Sequence, residues 1–294
     1  MPLDHLFFQR AILEVVLLSV AGGVLGTWIV LRGLSFFSHA VGTAAFPGLV
    51  LADGLGFAAS LGAAGAAGLF ALAFGGFALR ERQGHDAATA LVLVAALAAG
   101  VILASDVFDS GANVEALLFG SLLLIDGSDI ALAALAAGVS LVATLLLGPR
   151  WLAAGFDREA AASLRAGSRG SDAVLLAAIA LAAVASLAAV GALLATALLV
   201  VPAATTRLFC ERMRSWQIAT VTLAAAEGTG GLFISYATNA PPGATIAALS
   251  GVVFALAAVR ASLPKGMPAA AALLGLALLA GCGPGESSKP QVSV

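Results

Sequence analysis

Residues 11–31 read AILEVVLLSVAGGVLGTWIVL, an apolar run whose single ionisable member is Glu14 and which Arg32 closes. At 1.5 Å per residue, a helix of that length covers the hydrocarbon core of a bilayer, about 30 Å. The pattern then recurs. Further apolar runs bounded by charged or Pro/Gly breaks fall at 36–56, 57–79, 87–105, 130–147, 173–189, 191–208, 217–236 and 244–262. A shorter run at 117–125 reads as a half-helix or interfacial turn. Of the 294 residues 61% are hydrophobic and 10% charged, and the mean hydropathy is +1.06, whereas a soluble domain is about a quarter charged. An ordinary soluble protein is excluded. The expected fold is all-α, a polytopic transmembrane helical bundle of about eight or nine crossings, with no room for a sizeable soluble domain.

A formal net charge of −2 supplies no basic surface for nucleic acid, so no nucleic-acid partner is expected. The 34 glycines and abundant alanine suit close helix packing in membrane lipid. Two cysteines, Cys210 and Cys282, make neither a disulfide framework nor a cysteine zinc site. No cleavable signal is expected ahead of the first apolar run.

Lys and Arg mark cytoplasmic loops. With nine crossings drawn, Arg32, Arg80, Arg82, the 150–169 arginines, the 207–214 arginines and Arg260 share one side. Asp53, Asp106, Asp109, Glu115, Asp126 and Asp129 share the other with Arg10. This places the N-terminus outside and an acidic rim on the outer face; a count of eight would reverse one end. The longest cytoplasmic segment is then 148–172. At its centre residues 156–167 read as a short helix, with Asp157 capping free N–H groups and Gly167 at the C-terminal stop. It serves either as a solvated connector or as a docking helix for a cytoplasmic partner.

The chain lacks a Gly-x-x-x-x-Gly-Lys-Ser/Thr loop, since its lysines, Lys265 and Lys289, follow no glycine. Any ATP dependence must come from another subunit. Nor is there a Ser-His-Asp order, a carboxylate pair or a His-Glu-x-x-His helix, so the chain is not expected to be an enzyme. Ionisable groups within the hydrocarbon cost at least about 2.5 kcal/mol each and usually face a cavity or a partner. Two stand out, His39 near the start of the second crossing and Glu227 midway along the eighth. Imidazole and carboxylate together suit zinc or manganese and could hold a divalent cation transiently. The residues alone leave the alternative of a neutral, hydrogen-bonded His39 and a protonated packing Glu227. Glu14 reads as interfacial. Pro202, inside the seventh crossing, frees a carbonyl and kinks the axis, either for gating or as a tolerated structural feature.

Taken in order, these residues resemble one family, the membrane permeases of bacterial ABC importers for zinc, manganese or iron. The likeness covers about residues 7–263: Gly26 to Arg32, Leu34 to His39, Ala45-Phe46-Pro47-Gly48, Leu117 to Ser121, the 156–167 loop, Val190 to Leu194 through Pro202-Ala203-Ala204, and Gly231-Leu232 with Ser235-Tyr236 and Pro242-Gly243. The resemblance implies a permease domain at 1–263 and a permease homodimer. It also implies a cytoplasmic ATP-binding subunit, two copies per importer, and an extracytoplasmic metal-binding protein that delivers the ion. It further implies that 157–167, with Asp157, Glu159 and Gly167, is the coupling helix resting on the ATPase, that His39 lies in the translocation pathway, and that Glu227 is its carboxylate companion. No cofactor is expected to be bound permanently; the divalent metal, zinc or manganese, is cargo. Many relatives carry an aspartate four residues before the pathway histidine, where this chain has Ser35, so a hydroxyl replaces a hard ligand on the same helix face.

Residues 264–294 lie outside the family pattern. Lys265, a short apolar stretch and Leu279-Ala280-Gly281-Cys282 resemble a bacterial lipoprotein signal with Cys282 as the lipidation position. A read-through junction between a permease and a downstream lipoprotein would account for it.

Overall fold

The structure, a computed structural model, describes residues 5–78, 85–104, 125–156, 169–191 and 195–262. Among these there is no strand. The helices are α1 (Leu6–Arg32), α2 (Ser35–Leu55), α3 (Ala59–Ala78), α4 (His85–Ile102), α5 (Gly127–Phe156), α6 (Arg169–Ala185), α7 (Leu187–Val190), α8 (Ala195–Arg207), α9 (Met213–Thr238) and α10 (Pro242–Ser262). By length and composition α1, α2, α5, α9 and α10 can each cross a membrane, and α3, α4 and α6 hold shorter apolar stretches. The all-α polytopic bundle expected from the apolar runs is the fold observed, and the nine expected crossings coincide with α1 to α6 and α8 to α10.

Two boundaries differ. The fifth crossing does not stop at 147 but continues through Pro149 to Phe156, because Gly148 packs on Trp28 and Trp151 is buried against the same ring. Those contacts hold the last two turns helical where polarity alone predicted a connector. The sixth crossing is not one helix either. It breaks at Ser186, continues as the single turn α7, and ends at Gly191, whose φ of 83° ends the helical run. The 117–124 run, Asp157, Glu159, Gly167 and Cys282 lie outside the described residues.

Helix α1 is the hub. It packs against α5, α6, α8 and α9 and is buried along most of its length. Contacting residues rise together along α1 and α8, Gly22 meeting Leu198 and Gly26 meeting Leu199 and Ala203. They also rise together along α1 and α5, from Trp28 at Thr144 to Leu31 at Gly155. Along α9 they run oppositely, with Phe8 at Phe233, Gly23 at Val221 and Thr27 at Gln217. Hence α1, α5 and α8 are parallel and α9 antiparallel, as a nine-crossing chain requires. One end of the bundle carries Arg32, Asp172 and Arg207 and is here the basic end; the other, with Asp126 and Asp129, is the acidic end.

Small residues make the α1–α8 seam possible. A Cβ on Gly26 would collide with the Leu199 carbonyl oxygen, and one on Gly22 would sit 3.2 Å from the Leu198 carbonyl oxygen. The Leu198 oxygen is the acceptor that Pro202, lacking an N–H, leaves free in α8. Backbone therefore lies directly on backbone, the arrangement that small residues permit in lipid.

Candidate functional site

His39 lies one turn into α2, half-buried. Its Nδ1 is 3.3 Å from Thr196 Oγ1 at the start of α8, and its carbonyl accepts from the Thr43 hydroxyl at 3.1 Å. Ser35 is the first residue of α2 and is exposed. Its carbonyl accepts from Ser38 Oγ at 2.9 Å, and the hydrogen bond of the His39 ring is to Thr196, not to the Ser35 hydroxyl. At this position the hydroxyl adds nothing visible to the histidine.

Glu227 lies inside α9 and is 3% exposed. Its Oε2 accepts a 2.7 Å hydrogen bond from Ser250 Oγ on α10, whereas Oε1 is buried without a partner. The contact arises because α9 and α10 form an antiparallel hairpin closed at Asn239, whose φ of 53° turns the chain, with Ser235 Oγ donating to the Ala240 carbonyl at 2.6 Å. Gly231 meeting Ile246 fixes the register that sets Ser250 opposite Glu227.

His39 thus faces α8 from α2, and Glu227 faces α10 from α9. The residues expected to act together occupy different seams, linked by α8, which packs on α1, α2, α9 and α10. Among the described residues no three of His, Cys, Asp and Glu gather closely enough to hold a metal. His39 and Glu227 are therefore two separate polar positions and not one ligand set. Pro202 stays within the helix of α8, and the following turn is tied back by Thr206 Oγ1 donating to the Pro202 carbonyl at 2.8 Å and Trp216 Nε1 donating to the Ala203 carbonyl at 2.9 Å.

At the basic end, polar ties gather where residues 157–168 leave and rejoin the described structure. Arg32 Nη2 pairs with Asp172 Oδ1 at 2.9 Å, Trp151 Nε1 donates to the Ser171 carbonyl at 2.8 Å, and Trp28 Nε1 donates to Thr144 Oγ1 at 3.1 Å. The segment read as a coupling helix is therefore flanked by bonds to the end of α1. Partners 140 residues apart, such as Arg32 and Asp172, leave no local signal in the sequence.

At the acidic end Asp126 and Asp129 form a reciprocal cap on α5. Asp126 Oδ1 accepts from the Ser128 N–H at 2.7 Å, the Ser128 hydroxyl at 2.6 Å and the Asp129 N–H at 3.1 Å, while Asp129 Oδ2 accepts from the Asp126 N–H at 3.0 Å. The Ser128 hydroxyl first, and then the two N–H groups, hold Asp126 below the usual carboxylate range. Glu14, read as interfacial, is 0% exposed within the bundle, and neither of its carboxyl oxygens has a hydrogen-bond partner. A packing stripe of Glu14, Leu18, Ala21, Leu25 and Trp28 at helical spacing draws it inward.

Comparison with known proteins adds three kinds of likeness. Residues 4–261 match the ABC 3 transport family. A manganese transport system membrane protein, MntC, of Listeria monocytogenes is 28% identical over 255 residues, which span 87% of this chain and 91% of that protein. A chelated iron transport system membrane protein, YfeD, of Yersinia pestis is 27% identical, spanning 88% of this chain and 86% of that one. Among solved structures, PsaBC from Streptococcus pneumoniae, in complex with Fab, superposes with a TM-score of 0.76 at 26% identity, covering 86% of this chain and 91% of that chain.

Proposed function

From a chain that belongs to the ABC 3 transport family and is a multi-pass plasma membrane protein, we propose the membrane permease of an ATP-driven importer for a divalent metal ion, manganese or zinc. The observation that carries this is the end-to-end match to a manganese transport protein at 91% of its length. A shared fragment would not span the partner so fully.

In this reading the basic end is cytoplasmic and the acidic end faces outward, following the placement of arginine. A metal-binding protein delivers the ion to the acidic rim. The ion then passes His39 and Glu227 one after another, with partial loss of its water shell. His39, half-buried with its Nδ1 on Thr196, offers its other ring nitrogen. Glu227 offers Oε1, the oxygen that Ser250 leaves free. Single ligands on separate seams bind weakly, and conduction needs binding weak enough for release. ATP is hydrolysed in a separate subunit docked on residues 157–167, with Asp157, Glu159 and Gly167 shaping that helix, and closure reaches α1 through the flanking Arg32–Asp172 pair. A homodimer of permeases with two ATP-binding subunits would complete the assembly.

A second reading is favoured by the likeness to a chelated iron transport protein, namely a permease for a metal chelate. The test is uptake by vesicles containing the permease with its ATP-binding subunit and delivery protein. Uptake of free manganese or zinc only with ATP supports the proposal, and competition by chelated but not free metal supports the second reading. Uptake driven by an ion gradient without any ATPase would overturn both.

A further inference from the structure

Along its outer side α5 carries an open groove of about 640 Å³, lined by positions within 134–147 of that helix and by Val174 of α6. Every lining residue is apolar. The hollow opens at Gly138, where a Cβ would meet nothing, among Leu135, Val142 and Leu146, all three exposed. Atoms that face a void forfeit their dispersion contacts, so in a membrane the hollow is filled from the surrounding medium.

Its depth in the bilayer follows from the charges at either end. Asp129 and Arg150 bracket the stretch 130–149, which holds no ionisable residue. At 1.5 Å per residue they stand about 31 Å apart along α5, and the hydrocarbon core is about 30 Å thick. The groove therefore lies within the hydrocarbon, and Arg150 stands at the water boundary of the basic end. Along the helix the groove runs for about 20 Å, whereas one leaflet supplies about 15 Å of hydrocarbon. An extended acyl tail can thus lie in it over its full length, with its headgroup end toward Arg150.

The residues Leu135, Gly138, Val142, Leu146 and Arg150 follow one another at helical spacing and share a face. Gly148 and Trp151 turn the other way, onto Trp28. Arg150 is left exposed, with no carboxylate partner among the described residues. The carboxylate of Asp172, two residues before Val174, is engaged by Arg32. A free guanidinium thus stands at the head of an apolar trough, and the molecule that complements both parts has a hydrocarbon tail and an anionic head. A second copy of the chain fits less well. Two-fold related copies meet through the same face, which would set two Arg150 side chains at one depth, like charge against like.

We propose that the α5–α6 groove is a binding site for an anionic phospholipid, with one acyl tail along Leu135, Gly138, Val142 and Leu146 and the headgroup phosphate paired with Arg150. Arginine suits the head because its fork donates two parallel N–H bonds to phosphate oxygens, and basic positions between membrane helices recognise such headgroups. The site rests on the placement of the chain in the membrane and not on what the permease carries.

The test is native mass spectrometry of the purified full-length permease, released from detergent micelles doped with equal amounts of dioleoylphosphatidylglycerol and dioleoylphosphatidylcholine. The wild type should retain the glycerol lipid in preference. Arg150→Gln should lower the ratio of the two retained lipids about fivefold, the effect of one arginine at an anionic surface, and Arg150→Lys should restore most of it. Arg260→Gln, at an exposed arginine of α10, should leave the ratio unchanged. Gly138→Leu fills the hollow and should reduce retention of both lipids; if that variant does not fold, Val142→Phe on the exposed face takes its place. A ratio unmoved by Arg150→Gln, or lowered as far by Arg260→Gln, overturns the proposal, as does retention unchanged when the hollow is filled. The same spectra count copies, and loss of a dimer on filling the hollow with lipid retention intact would assign the groove to a second copy instead.

Discussion

Removing the Ser250 hydroxyl should expose how Glu227 is held. In Ser250→Ala the carboxyl loses its 2.7 Å donor to Oε2, and Oε1 already has none, so a buried group is left wholly unpartnered. Such a loss costs about 1–3 kcal/mol, or roughly 2 kcal/mol here. For a chain of this size that is a fall of about 4–8 °C in the unfolding midpoint. Replacing Glu227 by methionine of similar length removes the acceptor too, and loss of both partners is close to neutral. In the Glu227→Met background, Ser250→Ala should then cost less than about 0.5 kcal/mol, giving a coupling energy of about 1.5 kcal/mol. The assay is unfolding of the four purified chains in detergent, followed by tryptophan fluorescence. Equal cost of Ser250→Ala in both backgrounds would refute the argument that this hydroxyl holds the carboxyl.

Other outcomes follow from the same contacts. Gly26→Val drives a branched side chain into the Leu199 carbonyl and the Ala203 methyl, and should cost at least about 2 kcal/mol with loss of folded yield in a detergent gel-filtration screen. Gly138→Ala meets open space and should be neutral or stabilising by up to about 1 kcal/mol in that screen. His39→Ala and Glu227→Gln should each lower ATP-driven manganese uptake by vesicles while the ATP-binding subunit still co-purifies; uptake equal to wild type in both would return these residues to packing roles. Asp172→Ala leaves the 4%-exposed Arg32 guanidinium without its carboxylate and should destabilise by about 1.5–3 kcal/mol in the unfolding assay.

The bundle was legible because lipid imposes a length. The apolar run at 11–31 and its successors predict helices that the structure places within a few residues, and the arginine pattern predicts the alternation that the parallel α1–α5 and antiparallel α1–α9 seams display. Legibility failed where tertiary contact overrides local polarity. Pro149 and Arg150 look like a helix end, yet Trp28 and Trp151, distant in sequence, pack together and keep α5 helical to Phe156. The break at Ser186 to Gly191 leaves no trace in a hydropathy profile, since the residues on either side are equally apolar.

The site was legible in its parts and not in its pairing, for a related reason. A lone charge in an apolar run is visible as a cost, which is how His39 and Glu227 declare themselves, whereas Glu14, near the end of its run, reads as interfacial and its burial is visible only in the structure. Whether that cost is met depends on the facing helix. Ser250 meets it for Glu227 because the α9–α10 hairpin brings a hydroxyl opposite, 23 residues away. Thr196 meets it for His39 only because α8 starts where it does, 157 residues away. Position 14 shows the converse. Its own helix supplies Arg10 one turn before, a pairing that helical spacing would suggest, but Arg10 points to the surface while Glu14 continues the stripe that packs on α5. Spacing along one helix therefore nominates a partner, and the direction of the packing face decides whether the two meet.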